Sequence, residues 1–278
     1  MHYLLYNPLA SAGKGEKHLH KVEKIYKKRK IETKSYSLLS LNEYKENLLS
    51  SLTEEDVLVI IGGDGTLNTL FGEINFKELP CKVFMYRAGS GNDFARGHKG
   101  RLFEITEEIK DLPFAYVNGE KKFFINGIGL GIDAAVCRSM NNNNKKNGYY
   151  RTALNEFKKF KPFNLKFNAD GKEYEYNNVF FFVVMNGKYF GGGMKIAPMA
   201  KRNDDHLDVI VITAKSFWTI LPIFPTVFFG WHLPFKKFVK HIKVKDLELI
   251  SAGYDVLQAD GEPKEDVKTL TIHRYEKD

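Results

Sequence analysis

The sequence is poor in cysteine, with two residues among 278. Cys81 and Cys137 cannot form a disulfide framework, and neither has a cysteine or histidine nearby at the spacing of a zinc site. The first ten residues lack the basic start of a signal peptide, and Asn7 and Pro8 break their apolar run. These absences argue against a disulfide-rich secreted protein and predict a location in the reducing cytoplasm.

The sequence also lacks a hydrophobic run long enough to span a membrane. Its most apolar stretch, residues 216–239, is interrupted by Pro222, Pro225 and Pro234, and its apolar part falls short of the ~20 residues that a spanning helix needs. Two interpretations of this stretch remain open. It forms either a helix packed on the second domain or an interfacial surface that touches lipid, with lysines meeting the headgroups.

The charge balance leaves the partner open. The formal net charge of +8 suits a polyanionic partner, such as nucleic acid, nucleotide phosphates or an anionic membrane, and suits ordinary solubility equally well. The basic residues show no aromatic stacking pattern and no nucleic-acid-binding motif, so nucleic acid is the least favoured partner.

The length and the texture of the sequence predict two domains. Up to about residue 114, short apolar strands at residues 3–6, 57–61 and 82–86 alternate with helical stretches, and glycine loops follow them. This pattern is typical of an α/β domain with its site at the carboxyl ends of the strands. Beyond that point the chain is rich in predicted strands separated by turns, which indicates a β-rich, antiparallel second domain.

The strongest motif is Gly62-Gly63-Asp64-Gly65-Thr66, at the end of an apolar strand and the start of a helix. Its glycines let the backbone approach phosphate oxygens, the N–H groups at the helix start can hold an anion, and Thr66 offers a hydroxyl. The Asp64 carboxylate would repel a phosphate. We therefore expect it to act through a bridging magnesium ion or on a ribose hydroxyl.

Two further loops belong to the same predicted site. Residues 89–96 form a second glycine loop, in which Asn92 and Asp93 could position phosphate, metal-bound water or a substrate hydroxyl. The Asn7-Pro8 turn and Lys14, after the first strand, could contact a nucleotide through an amide and an ammonium group. The second glycine loop lacks the spacing of a P-loop.

Residues 62–66 and 89–96 together resemble the catalytic domain of the diacylglycerol kinase and sphingosine kinase superfamily, in its bacterial soluble lipid-kinase branch. The resemblance continues through Phe124-Ile125-Asn126, Gly191-Gly192-Gly193 and Asp260-Gly261-Glu262, in the family's order. It covers almost the whole chain, and this makes it more specific than the first motif alone, which NAD kinases share.

The resemblance implies a fold and a reaction. The fold is an α/β nucleotide domain (residues 1–116, joined by 267–278 as a returning last strand) and a β-sandwich lipid-binding domain (117–266), with the site in the cleft between them. The reaction is ATP- and magnesium-dependent phosphorylation of a lipid hydroxyl, most directly that of diacylglycerol, by a cytoplasmic enzyme that contacts the membrane peripherally.

Site roles follow from the matching motif positions. Glu262 is expected to be the general base, with Asp93 as the next candidate, although an Asp-Gly turn is the plain alternative for this motif. Asp64 is expected at magnesium, and Asp204 lies in a stretch that can bind a structural cation. The residues expected to serve ATP are Asn7, Lys14, Gly62, Gly63, Gly65, Thr66, Gly89, Ser90 and Asn92.

Four positions depart from the family's usual pattern. Ala115 falls where many members carry an aspartate of the magnesium network, and Thr69 replaces a common glutamate. Arg87 replaces a proline, and Asp205 replaces a glycine. These departures leave the metal network and the lipid substrate as the open points.

Three alternatives stay open. An NAD kinase shares the first motif, but the Asn92-Asp93-Phe94-Ala95-Arg96 sequence and the aromatic residues of 216–239 favour a lipid substrate. The lipid could instead be phosphatidylglycerol, a sphingoid base or undecaprenol. A non-catalytic nucleotide or lipid sensor is the third alternative, and the retained Asp64 and Glu262 argue against it.

Overall fold

A computed structural model describes residues 1–89, 91–142 and 155–275, with residues 141–142 described by their backbone alone. The chain divides into two compact units, Met1–Asp111 and Leu112–Asp278. No helix among the described residues has the length and apolar character that crossing a membrane requires.

The first unit is built on a five-stranded sheet in the order β2-β1-β3-β4-β5. Strands β1 to β4 are parallel, and β5 runs antiparallel to β4 at one edge. Its strands are β1 His2–Tyr6, β2 Thr33–Ser37, β3 Val57–Gly62, β4 Lys82–Arg87 and β5 Leu102–Glu104. Its α-helical segments span Ala10–Gly13, Gly15–Lys28, Leu41–Ser51, Asp64–Phe71 and Thr106–Lys110, and short 3-10 turns span Leu38–Ser40, Phe76–Glu78 and Phe94–Gly97.

The sequence pattern explains how this sheet is covered. Strand β3 is apolar without alternation and is almost wholly buried, as expected of a central parallel strand. Helix Gly15–Lys28 buries Leu19, Val22 and Tyr26, which share one helical face, and packs them against the sheet. The helix therefore fixes the loop that joins it to the carboxyl end of β1.

The second unit is dominated by an 11-stranded sheet whose strand pairs are antiparallel. The main path runs β15-β14-β8-β10-β9-β13-β16-β6-β7, and β11 joins β10 to β12 beside it. Its strands are β6 Phe114–Val117, β7 Glu120–Phe123, β8 Gly127–Gly131, β9 Phe163–Ala169, β10 Lys172–Met185, β11 Leu207–Thr213, β12 Val239–Val244, β13 Asp246–Ala252, β14 Leu257–Ala259, β15 Glu262–Lys264 and β16 Leu270–His273. Its helices include Ile132–Asn142, Phe217–Ile220 and Phe224–Phe229.

Strand β10 organises the core of this unit. Its first half pairs with β9 and its second half with β8 and β11, so one long strand serves two parts of the sheet. Phe182 and Val184 point into one apolar core, whereas Phe181 and Val183 point into a second core on the opposite face. Helices Phe217–Ile220 and Phe224–Phe229 pack on that second core. Part of residues 216–239 is therefore packed on the second domain, which was one of the two interpretations of this stretch.

The predicted fold class, an α/β domain followed by a β-rich sandwich domain, is confirmed. The last strand is placed differently from the expectation: β16 pairs with β13 and with β6, and all three lie in the second unit. The division falls between Asp111 and Leu112 because β6 takes part in the second sheet and not in the first. A site in the cleft between domains stays a prediction.

Candidate active site

Three loops of the first unit meet at one edge of its sheet. They follow β1, β3 and β4, which are neighbouring parallel strands, so their carboxyl ends lie side by side. The backbone connects them directly: Asn7 N–H donates to the Ile61 carbonyl at 3.3 Å, and Ala88 N–H donates to the Gly62 carbonyl at 2.7 Å. We call residues 7–15, 62–66 and 88–94, without Ser90, the loop cluster.

Asp64 holds two of these loops together. Its carboxylate accepts the backbone N–H of Asp93 at 2.8 Å and that of Phe94 at 3.0 Å. Asp64 is itself the first residue of helix Asp64–Phe71, so the bond fixes the second glycine loop to the helix start. The predicted magnesium contact is untested. One function of this carboxylate is to hold the two glycine loops in a fixed relative position.

Asn7, Thr66 and Asn92 are also engaged within the loop cluster. Asn7 Nδ2 donates to Thr66 Oγ1 at 3.3 Å, and Thr66 is only 4% exposed. Asn92 has a left-handed backbone, its side-chain oxygen accepts the Gly89 N–H at 3.0 Å, and its Nδ2 donates to the Gly89 carbonyl. These side chains were predicted to serve ATP, and the structure uses them to shape the loops that would do so.

Two glycines are required by close packing. A Cβ atom on Gly63 would lie 2.6 Å from the Gly89 Cα, and a Cβ on Gly62 would lie 2.4 Å from the Thr66 Cβ. The two glycine loops therefore touch through their backbones, at a distance that no side chain could permit.

Gly65 differs from both of these. A Cβ there would meet nothing within 4 Å, and its backbone needs no left-handed conformation. Neither packing nor φ requires glycine at this position. What the missing side chain provides is free access to the backbone in the first turn of helix Asp64–Phe71, where N–H groups favour an anion.

The remaining predicted residues of the first unit lie around this opening. Lys14 is exposed, and its ammonium makes no hydrogen bond or ion pair within the part of the chain that the structure describes. Asp93 is 6% exposed and accepts a hydrogen bond from Arg96 Nε at 3.3 Å. Ser90, also predicted to bind ATP, lies outside the described residues.

Arg87 and Ser11 take structural roles that the sequence did not reveal. The Arg87 guanidinium donates to the carbonyls of Ala95 and His98, and so ties strand β4 to the turn that carries Asp93. Ser11 has a left-handed backbone, and its hydroxyl donates to the Ala88 carbonyl. A run of positive φ angles at residues 11–13 has no reliable sequence signal, since only Gly13 belongs to a residue type that favours it.

In the second unit, Asp260 and Glu262 have opposite environments. The Asp260 carboxylate accepts the backbone N–H groups of Ile125, Asn126 and Gly127 at 2.6, 2.8 and 3.1 Å. The Glu262 side chain is 60% exposed and forms an ion pair with Lys122 at 2.8 Å. The turn interpretation of this motif therefore holds for Asp260, while Glu262 remains accessible to a substrate.

The other positions singled out in the sequence do not form a metal cluster. Asp204 lies 3.5 Å from Lys243 Nζ, and Asp205 lies 2.9 Å from Lys245 Nζ. The described residues contain no group of three or more histidine, cysteine, aspartate or glutamate side chains able to hold a metal ion. Ala115 is fully buried in the apolar core of the second unit, and the exposed Thr69 donates a hydrogen bond to the Gly65 carbonyl.

The second unit also contains a pocket that was not predicted from the sequence. Its empty volume, including the open side, is about 530 Å³, and Val136, Phe157, Phe181 and Phe224 are among its apolar lining residues. Asp133 is the charged residue among the described residues that line it. The pocket has the apolar lining of a ligand cavity.

Asp133 is buried at the start of helix Ile132–Asn142. Burial raises the pKa of its carboxyl to about 7, although the Gln258 amide opposes this by donating to Oδ2 at 2.9 Å. Its Oδ1 has no hydrogen-bond partner in the described part of the chain. Gln258 also accepts the Gly261 N–H at 3.0 Å, so Asp133 is connected to the turn that precedes Glu262. The sequence feature that could have identified Asp133 is its position as a single acidic residue directly after the apolar, glycine-rich residues 127–132.

The fold and the loop cluster define a chain with a glycine-loop α/β domain followed by a β-sandwich domain, and comparisons with known proteins agree with this class. A family model described as the diacylglycerol kinase catalytic domain matches residues 2–114. Another, described as the YegS C-terminal NAD kinase beta sandwich-like domain, matches residues 126–272.

Individual relatives span nearly the same length. The protein named "Putative lipid kinase YtlR" of Bacillus subtilis is 26% identical, over 94% of this chain and 92% of its own. The diacylglycerol kinase of Mycobacterium tuberculosis is 25% identical, over 93% of this chain and 87% of its own. A solved diacylglycerol kinase structure from Bacillus anthracis shares the fold, with a TM-score of 0.67, 22% identity, and coverage of 98% of this chain and 93% of that one.

The chain belongs to the diacylglycerol kinase superfamily, in its bacterial lipid kinase branch.

Proposed function

We propose that this protein transfers the γ-phosphoryl group of ATP to the free hydroxyl of diacylglycerol and so forms phosphatidic acid. The observation that carries the proposal is the loop cluster of a kinase-family α/β unit, where three loops join at one sheet edge around the unobstructed backbone of Gly65. The lipid part of the proposal rests on the apolar pocket of the second unit and on the family.

The loop cluster is suited to the phosphates of ATP. Backbone N–H groups at the start of helix Asp64–Phe71 lie beside the open side of Gly65, and helix N-termini favour negative charge. Lys14 adds an ammonium group that is not used elsewhere in the described structure. Phosphoryl transfer depends mainly on such positioning and charge stabilisation, so a rigid backbone cradle is the feature it needs.

The residues present fit a magnesium ion carried by the nucleotide. Magnesium bound to ATP uses one or two carboxylates plus phosphate oxygens and water, so a cage of protein ligands is not required. Asp64 would hold it, because each of its oxygens accepts a backbone N–H and retains a further lone pair. When bound, the ion would neutralise charge on the phosphates.

The apolar pocket of the second unit supports a lipid substrate. Acyl chains are apolar and would fill a cavity lined by phenylalanine, isoleucine, valine and methionine side chains. Asp133 supplies one buried polar atom, Oδ1, and burial raises the pKa of its carboxyl to about 7, so its protonated form could donate a hydrogen bond to an ester carbonyl of the lipid. A buried polar atom without a partner is costly, so a ligand that hydrogen-bonds to it would gain affinity.

Glu262 is the proposed general base. Its carboxylate would take the proton from the lipid hydroxyl while the hydroxyl oxygen forms a bond to the γ-phosphorus and the bond to ADP breaks. The Glu262 carboxylate is 60% exposed, and its ion pair with Lys122 at 2.8 Å lies at the surface, where a substrate hydroxyl could reach it. The Asp260 turn fixes the backbone from which Glu262 projects.

Replacement of Glu262 tests this assignment. Glu262→Gln keeps the size of the side chain but removes its basicity, so we expect kcat to fall by about 10²–10⁴-fold with the KM for ATP nearly unchanged. Glu265→Gln is the matched control, because Glu265 is similarly exposed (55%) and pairs with Arg138 at 3.8 Å. If Glu262→Gln keeps the wild-type kcat, the base assignment is wrong and Asp93 is the next residue to replace.

The substrate is tested with labelled ATP and a panel of acceptors. The panel contains dispersed diacylglycerol, phosphatidylglycerol, sphingosine, ceramide, undecaprenol and NAD. We expect the highest kcat/KM with diacylglycerol and no transfer to NAD. A preference for another lipid would retain the lipid kinase and replace the substrate, whereas transfer to NAD alone would overturn the proposal. ATP binding without turnover on any acceptor would support a sensor instead.

A further inference from the structure

Residues 217–235 of the second unit expose an unusual set of large apolar side chains. The sequence has two tryptophans, and both lie here, with Trp218 77% exposed and Trp231 67% exposed. Leu221, Phe229 and Phe235 are 38%, 59% and 44% exposed in the same segment. We call these five side chains the aromatic face. Exposure of this much apolar surface in one short segment indicates a binding surface.

The aromatic face is held in a defined conformation. The rings of Phe229 and Trp231 stack with their centroids 4.9 Å apart, around Gly230 in a left-handed turn. A Cβ on Gly230 would lie 2.7 Å from Pro198 Cγ and 3.1 Å from Lys195 Cδ. The turn therefore packs tightly on residues 195–198 and presents its rings outward, so they are not side chains of a loose loop.

Helices Phe217–Ile220 and Phe224–Phe229 have an apolar inner side. Ile220, Phe224 and Val227 line the pocket together with Ile223, which lies between the helices. Trp218 and Phe229 from the same two helices are exposed to solvent. These helices form one wall between the pocket and the outside. An apolar surface that docks on the aromatic face would thus lie against the wall of the proposed lipid pocket.

The charged side chains within this stretch of the sequence, histidine aside, are of one sign. Between Asp208 and Asp246 the sequence contains no aspartate or glutamate. The lysines in that interval include Lys215, Lys236 and Lys237, all of which are exposed. Basic side chains beside exposed tryptophan and phenylalanine match an anionic bilayer, where aromatic rings enter the headgroup boundary and lysines meet the lipid phosphates.

We infer that the aromatic face docks this protein on an anionic membrane surface, in a peripheral and salt-sensitive manner. The inference deepens the proposed function, since it rests on a lipid substrate that stays in the bilayer. The occupant is the lipid surface itself: the rings insert at the headgroup level, and the lysines contribute attraction that counter-ions screen.

The tryptophans provide a direct probe of this docking. Phosphatidylcholine vesicles, with and without phosphatidylglycerol, are titrated into the full-length protein in the absence of ATP and diacylglycerol. We expect a blue shift of tryptophan emission with the anionic vesicles, quenching by brominated lipids, and loss of both as salt rises. No shift and no quenching with anionic vesicles would overturn the inference.

Matched variants locate the surface. Trp231→Gln is expected to weaken vesicle binding about tenfold through lost apolar contact, and Lys236→Gln with Lys237→Gln about fivefold for each charge removed. Leu39→Gln is the apolar control, because Leu39 is 67% exposed but lies in the first unit. Lys27→Gln with Lys28→Gln is the charge control, since both lysines are exposed on helix Gly15–Lys28. Equal effects of variants and controls would overturn the inference.

Failure of the docking surface and failure of the proposed kinase can be told apart. Vesicle binding is measured without turnover, and turnover is measured separately with short-chain diacylglycerol in solution. Vesicle binding without kinase activity would overturn only the reaction. If the aromatic face is instead covered by a second copy of this chain, light scattering will show a concentration-dependent dimer and vesicles will not alter the emission, which would overturn the docking inference.

Discussion

In each unit an aspartate carboxylate accepts hydrogen bonds from several backbone N–H groups, Asp64 in the first and Asp260 in the second. The surroundings of these two aspartates differ in which groups remain accessible to a ligand. Around Asp64, the side chains of Asn7, Thr66 and Asn92 are engaged in fixing loops, and the open element is the backbone at Gly65. Around Asp260, the turn is fixed and one side chain, Glu262, is left exposed. The first region therefore acts through backbone geometry, and the second through a single carboxylate.

Asp64→Asn should produce the largest effect. The amide replaces one acceptor oxygen with an N–H₂ donor, which would then face the N–H of Asp93 or Phe94, so the second glycine loop loses its anchor. We expect kcat/KM to fall about 10³-fold or more with the fold retained, as measured by initial rates with labelled ATP and by circular dichroism. Glu73→Gln, in the same unit but paired with Lys45, should stay within about twofold.

The glycines of the first motif provide a matched pair. Gly63→Ala forces a Cβ to 2.6 Å from Gly89 Cα, so we expect a loss of about 2–3 kcal/mol of stability together with the activity. Gly65→Ala meets no neighbour within 4 Å, so we expect an unchanged or raised Tm and a KM for ATP that rises about tenfold. Calorimetry and ATP kinetics separate the two, and a normal KM in a stable Gly65→Ala variant would remove the phosphate site from this turn.

Asp260→Asn should act on stability more than on chemistry. Its carboxylate accepts three backbone N–H groups, and bonds to a charged acceptor are worth about 1.5–3 kcal/mol each. The amide keeps one acceptor oxygen, so we expect a loss of about 2 kcal/mol and a Tm lower by about 4–8 °C. Asp255→Asn, at an exposed position, is the control. An unchanged Tm together with a lost kcat would instead make Asp260 part of the chemistry.

Asp133→Asn should have an effect that depends on pH and is smallest near pH 4. Burial raises the pKa of this carboxyl to about 7 from an ordinary value of 3.8, so the folded state holds the proton more tightly than the unfolded state. That stabilisation is complete below pH ~4 and is lost as pH rises through about 7. The neutral amide avoids the buried charge, so the variant should gain Tm relative to wild type at pH 8 and match it near pH 4. A pH-independent difference would contradict the buried ionisation.

The sequence predicted the first unit more completely than the second. Uninterrupted apolar strands followed by glycine loops identify parallel strands, and β1, β3 and β4 lie within a residue or two of their predicted bounds. In the second unit, strand bounds are harder to predict, because Lys172–Met185 is one long strand, β10, whose register shifts at a bulge between Tyr176 and Val179. Pairing partners depend on contacts between distant residues, so the position of β16 could not be read from local pattern.

For the site residues, the sequence pattern indicates position more readily than role. Glycines and polar residues at the ends of β3 and β4 lie together because neighbouring parallel strands end at one edge. Whether a side chain faces a ligand or its own loop depends on hydrogen bonds such as those of Asn92 with Gly89, which spacing does not encode. Asp133 was missed because its importance arises from burial and from Gln258, far away in sequence.

The position of β16 sets an order of events for this chain as it leaves the ribosome. All strands of the first unit are made by residue 104, so its sheet can close while the second unit is still being synthesised. The hairpin of β6 and β7 is made next, yet the strand that joins it to β13 is β16, the last strand that the structure describes. Until Leu270–His273 emerges, the hairpin keeps an unpaired edge, which exposes the nascent chain to mispairing or to capture by chaperones.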